Sequence, residues 1–170
     1  MEGGKVDSVL DLYIMSLVER CLKTAYELHI HGKISLGSAL PALKRLKANG
    51  ALRPDVSDTG TNKHRQPYLL TAAGRARLRA GEKGLLFQNP PTDIDMILRI
   101  LDICSLAPVA HIHGFIVRAR IDRAKRIKLI HLDPQDDSTG LEYLSSRRNW
   151  ELVSLRTEIR FLSNLSERFN

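Results

Sequence analysis

A chain of 170 residues with 43% hydrophobic content can bury one sizeable core or two modest ones, which excludes wholesale disorder. Lys and Arg outnumber Asp and Glu 26 to 19, a net charge of +7, and between Lys44 and Arg79 there are nine basic residues against two acidic ones. An excess focused on one segment points to a polyanion, most often nucleic acid, with a merely soluble basic surface as the alternative.

In chain order, the spacing of Val9, Leu10, Tyr13, Ile14, Leu17 and Val18 predicts a helix from about Asp7 to Leu22. Thr24 can cap a short second helix holding Ala25, Tyr26, Leu28 and Ile30, broken at Gly32. The stretch "ISLGSALPALKRLKANG", Ile34 to Gly50, reads as a third helix closed by Asn49-Gly50. "ALRPDV" and "QPYLLT" are short extended segments, joined as a hairpin by the polar run Ser57–Arg65. Thr71 can cap a further helix, "TAAGRARLRAG", which Gly81 and Gly84 are expected to end.

Three helices followed by a two-stranded hairpin is the order of a winged helix-turn-helix, whose third helix enters the major groove. At 100° per residue, Leu36, Leu40, Leu43 and Leu46 cluster on one side, the expected core side, leaving Gly37, Ser38, Pro41 and Arg45 outward. Small residues let the backbone approach a DNA surface. With Gly37 or Ser38 as the cap, Pro41 would lie in the first turn, where its missing N–H costs nothing. Arg45 offers a fork of donors suited to guanine or phosphate, with Lys44 beside it and Lys47 nearby. Lys63, His64 and Arg65 would reach phosphates or the minor groove from the wing. The alternative is that late cations on a helix merely satisfy its macrodipole.

These residues resemble the PadR-like winged-helix transcriptional regulators, over about Leu10 to Leu78. "ISLGSALPALKRLKANGAL" is similar to the family's Pro-Ala-Leu helix ending in a Gly and an apolar strand, and "RQPYLLTAAGRARL" resembles its second wing strand followed by a Leu-Thr-x-x-Gly-Arg helix start. Two departures stand out. Thr24-Ala25 precede Tyr26 where the family usually has His-Gly, and Ser38-Ala39-Leu40 replace a common Thr-Leu-Tyr, so a base preference does not carry across. The resemblance implies a homodimeric transcription factor, commonly a repressor, sometimes released by a small molecule.

Asn89-Pro90-Pro91 reads as a break. Beyond it, Ile94, Ile97, Leu98, Leu101 and Ile103 predict one helix, Val109 to about Leu132 a second, and Leu141 to about Phe169 a long third after "DPQDDSTG". In the last, Leu152, Leu155, Ile159 and Leu162 form a narrow stripe suited to a dimer seam or to packing within the chain. Trp150 is the only tryptophan. By the resemblance it is a candidate for stacking a planar effector, although packing is the more usual role of a lone helical tryptophan.

The expected fold is thus mainly α with a small β-hairpin wing (α+β): a winged helix-turn-helix DNA-binding domain at 1–84, a linker at 85–92, and a helical, dimerising domain at 93–170. The start, "MEGGKVDS", has no apolar core for a secretory signal, and the longest uncharged run, Ile103–Val117, is too short to span a bilayer. Cys21 and Cys104 form no metal-type pair and are expected to be reduced, helical and partly buried. A cytoplasmic protein without metal, cofactor or membrane partner is the expectation. The pairs His29/His31 and His111/His113 fall on different sides of a helix, wrong for chelation, and no nucleophile elbow, phosphate loop or zinc-protease pair supports catalysis. The partners expected are double-stranded DNA, a second copy and a small-molecule effector. The rival readings are a winged-helix protein–protein module without specific DNA binding, and a dimerisation protein whose C-terminal helices carry the function.

Overall fold

A computed structural model describes residues 7–56, 66–132 and 142–169. In order the elements are α1 (Val9–Glu19), α2 (Ala25–Ile30), α3 (Leu36–Ala48), β1 (Leu52–Pro54), β2 (Tyr68–Leu70), α4 (Ala72–Phe87), α5 (Ile94–Ile103), α6 (Val109–Leu132) and α7 (Glu142–Glu167). The fold is mostly helical, with one antiparallel pair in which Leu52 faces Leu70 and Pro54 faces Tyr68. The chain divides into two compact units, one of residues 1–85 with 99–107, the other of 86–98 with 108–170.

The first unit is built from well-marked helix ends. Ser8 caps α1 by accepting from the Asp11 amide, and Thr24 and Glu27 form a reciprocal capping box on α2. Both α1 and α3 close on a residue in the left-handed region, Cys21 at φ 73° and Gly50 at φ 70°. In each case the amide of that residue and the next reach back to the last turn: Cys21 to Val18 and Leu22 to Leu17, Gly50 to Lys47 and Ala51 to Leu46. Cys21 is therefore neither helical nor buried, and Cys104, which is buried, lies just past the end of α5. Burial pushes the Cys104 thiol up to about 12, with the Glu82 charge adding to it.

Helix α4 does not stop at Gly81 or Gly84 but runs on to Phe87, with Leu85 and Leu86 buried. Its glycines serve packing. A Cβ on Gly74 would overlap the Ala51 carbonyl oxygen, and one on Gly81 would overlap the buried Leu12 side chain, whereas Gly84 faces open space. Thr71 caps α4 at the Gly74 amide (2.9 Å) and also donates to the Gly50 carbonyl (2.7 Å), locking the wing strand, the end of α3 and the start of α4 together.

In the second unit α6 and α7 lie antiparallel, joined by Arg123 to Glu158 (3.1 Å), Arg126 to Glu151 (2.6 Å) and Arg148 to the Ile130 carbonyl. Arg123 is buried, and its remaining nitrogens donate to the Pro91 and Thr92 carbonyls, pinning the segment before α5. Leu155 and Leu162 are buried, and Leu152 and Ile159 half-buried, on the face of α7 turned to α6. The stripe expected as a dimer seam thus packs within its own chain. Among the described residues no helix is long and apolar enough to cross a membrane.

Candidate nucleic-acid interface

Helix α3 begins earlier than its small residues imply. Ser35, not Gly37 or Ser38, is the cap: its Oγ accepts from the Ser38 amide (3.2 Å) and its carbonyl from the Ala39 amide. Pro41 is consequently the sixth helical residue, past the four positions whose N–H groups have no helical partner. The i→i−4 bond to the Gly37 carbonyl cannot form there, a defect that in an ordinary helix costs about 3 kcal/mol.

The buried side of α3 also differs from the leucine stripe. Ala39, Ala42, Leu43 and Leu46 are the buried residues, while Leu36 is 42% and Leu40 39% exposed. The four buried positions centre on one side of the helical wheel, and Gly37, Pro41, Lys44 and Ala48 centre on the opposite side. Leu36, Gly37, Ser38, Leu40, Pro41, Lys44 and Lys47 are all exposed. Two alanines point inward because α3 lies against both α1 and α2, and small side chains permit close helix approach. The leucines are displaced to the flank.

Arg45 is turned to the protein. Its Nε and Nη2 meet the two carboxylate oxygens of the buried Asp11 on α1, at 3.2 and 2.5 Å. That hydrogen bond, above all, raises the guanidinium above its ordinary value. Arg77 of α4 makes a similar fork to Asp7 and reaches the Asn49 carbonyl at the end of α3, while Arg79 pairs with Glu19 and Glu82. Three of the basic residues between Lys44 and Arg79 are thus answered, by Asp7 just ahead of α1, Asp11 and Glu19 in α1, and Glu82 in α4. Among the described residues Lys44, Lys47 and Arg53 have no ion pair.

The structure therefore brings Gly37, Ser38, Pro41 and Lys44 onto one outward face and takes Arg45 away from it. Lys63, His64 and Arg65 lie outside the described residues. Residues that sequence reasoning missed are Leu36 and Leu40, assigned to the core, and Asp11, whose partner lies 34 positions away. Trp150 is 72% exposed on α7, so it is not a core residue, and Val153 and Phe161 are exposed on the same face.

Residues 21–80, from the end of α1 through α2, α3, the hairpin and the first half of α4, match the transcriptional regulator PadR-like family. The match covers 60 of the 170 residues and makes this segment similar to that family. The match agrees with the resemblance read from "ISLGSALPALKRLKANGAL" and "RQPYLLTAAGRARL", and the family is one of transcriptional regulators rather than enzymes. The Leu-Thr-x-x-Gly-Arg start of α4 in the PadR-like segment has a visible cause: Leu70 is buried, Thr71 caps, Gly74 admits the Ala51 carbonyl, and Arg75 donates to the Leu70 carbonyl.

No curated protein matches the chain. Similar solved structures include Bacillus subtilis PadR in complex with operator DNA, 15% identical over 96% of this chain and 100% of that one, with a TM-score of 0.41. The same protein in complex with p-coumaric acid is 13% identical over 95% and 99%, at 0.41. The PadR-like regulator BC1756 from Bacillus cereus is 15% identical over 95% and 98%, at 0.38. The similarity rests on residues 21–80, and these distant likenesses add no detail to it.

Proposed function

We propose that the protein is a cytoplasmic, homodimeric regulator that binds specific duplex DNA, acting as a repressor that a small molecule releases. The observation that carries this reading is the outward face of α3 within the PadR-like segment: small or flat at Gly37, Ser38 and Pro41, and edged by Lys44 and Lys47, which have no ion pair among the described residues. A helix with such a face can lie close to base edges while its lysines meet phosphates. Lys63, His64 and Arg65 on the wing would add further phosphate contacts. Arg45 serves by fixing α3 on α1 rather than by reading a base.

A single small module seldom reaches operator affinity, which favours two copies on a palindrome. The surface proposed for the second copy is the outer face of α7, with Trp150, Val153 and Phe161, since Leu155 and Leu162 are occupied by α6. Residues 1–84 would then read DNA, and the unit that holds α6 and α7 would pair the chains.

The test is fluorescence anisotropy with two labelled duplexes, one from upstream of the protein's own gene and one scrambled, at low and physiological salt. Binding to the upstream duplex that survives salt able to strip the scrambled one is the expected result. Equal, salt-sensitive binding to both would reduce the surface to a basic patch. A second reading, a protein–protein module, draws on the exposed Tyr26 and Ile30 of α2. It predicts no binding to either duplex at low salt.

A further inference from the structure

The outward face of α3 can be matched to a particular base. In the major groove guanine is read by a forked Arg, adenine by a forked Asn or Gln, and the thymine 5-methyl group by apolar contact. Leu36–Ala48 contains no Asn or Gln, and its one guanidinium, Arg45, has its Nε and Nη2 on Asp11. The Ser38 hydroxyl accepts from Ser35 Oγ at 2.9 Å and can still donate, but a lone rotating hydroxyl finds an acceptor on any base pair and selects none. Lys44 and Lys47 are point charges without a planar fork. What remains exposed on this helix is apolar.

Leu36, Leu40 and Lys44 lie in one row along α3, at i, i+4 and i+8. Leu40 borders Gly37 and Pro41, where the helix can come closest to a neighbouring surface. Holding two leucines in water forgoes burial energy that the core could have taken, and Ala39 and Ala42 occupy the places that would have taken it. The cations Lys33, Lys44, Lys47 and Arg53 are exposed and, among the described residues, unpaired, so the complement of this region is a polyanion.

We infer that Leu36 and Leu40 determine specificity by packing on thymine 5-methyl groups, so that the operator carries thymine at the contacted steps. This rests on the DNA-binding reading given above. Lys44 and Lys47 set affinity through phosphate, and the leucines set sequence.

Removing only the methyl groups tests it. A duplex is first selected from a random pool by the full-length protein at physiological salt, and each dT is then replaced singly by dU, which keeps its pairing. At one or two thymines per half-site dU should weaken binding about threefold to fourfold, the worth of one buried methyl. Leu40→Ala, at a position exposed enough to spare the fold, should bind the dT and dU duplexes equally at the position it contacts; Leu40→Met should keep part of the discrimination. A melting curve for each variant checks that it is folded. Specific binding with no dU effect anywhere, or an unchanged dT/dU ratio in both Leu40→Ala and Leu36→Ala, overturns the methyl reading and leaves the regulator standing. No duplex selected, and none bound at low salt, overturns both.

Discussion

Helices α3 and α7 each bury one face and expose apolar side chains on the other, but the company those side chains keep is different. On α3 the exposed Leu36 and Leu40 sit among Gly37, Pro41, Lys44 and Lys47. On α7 the exposed Trp150, Val153 and Phe161 share their face with the exposed Thr157 and Asn164, with no charge at the centre of that face. A cationic, low-relief surface answers a polyanion, and a broad aromatic one answers another apolar surface. Apolar exposure alone thus says little about the partner, and the neighbouring charge decides.

The sharpest way to break this contrast is to unseat α3 without touching its surface. Gly74→Val should force the Ala51 carbonyl away, cost about 3 kcal/mol or more in urea unfolding, and abolish DNA binding. Gly84→Ala, in the same helix but facing open space, should stabilise by about 0.5–1 kcal/mol. Next in size, Trp150→Ala with Phe161→Ala should weaken self-association by about 2 kcal/mol or more in sedimentation equilibrium. Lys44→Ala with Lys47→Ala should leave that association unchanged while lowering the salt slope of DNA binding by about 2. An exchange of these two outcomes would reverse the roles assigned to the helices.

Arg45→Ala should cost about 1–2 kcal/mol of stability, discounted for the partial exposure of the arginine, and weaken specific and scrambled duplexes alike. A selective loss at one base pair would return Arg45 to the reading face. In the same measurement Asp11→Ala should be nearly additive-free with Arg45→Ala, because both remove one interaction. The smallest effect concerns the thiols. Cys21 should be alkylated in the native protein near pH 8, and Cys104, buried and pushed up to about 12, only after unfolding.

Much of this fold is legible in the sequence because its signals are local. Thr24 and Glu27, Asn49 and Gly50, and the Leu70–Arg75 run each fix a helix end within a few residues. The errors arise where the answer lies elsewhere in the chain. Leucine periodicity cannot tell that Ala39 and Ala42 take the tight contact and leave Leu36 and Leu40 outside. Nothing near Arg45 announces Asp11, and Gly81 is not a helix stop because Leu12 fills the space a side chain would need. The stripe on α7 was legible as a packing face, but its partner, α6 of the same chain, was not.

Pro41 gives α3 an uneven stiffness. The helical ladder lacks a rung between Gly37 and position 41, and a helix bends most readily where a rung is missing. On the C-terminal side of that point Leu43 and Leu46 are buried, Asp11 grips Arg45, and Arg77 holds the Asn49 carbonyl. On the other side the helix is anchored chiefly at Ser35 and Ala39. The N-terminal end of α3, the end proposed to meet DNA, can therefore flex to follow the surface it meets, while its rear remains clamped as the lever's fixed arm.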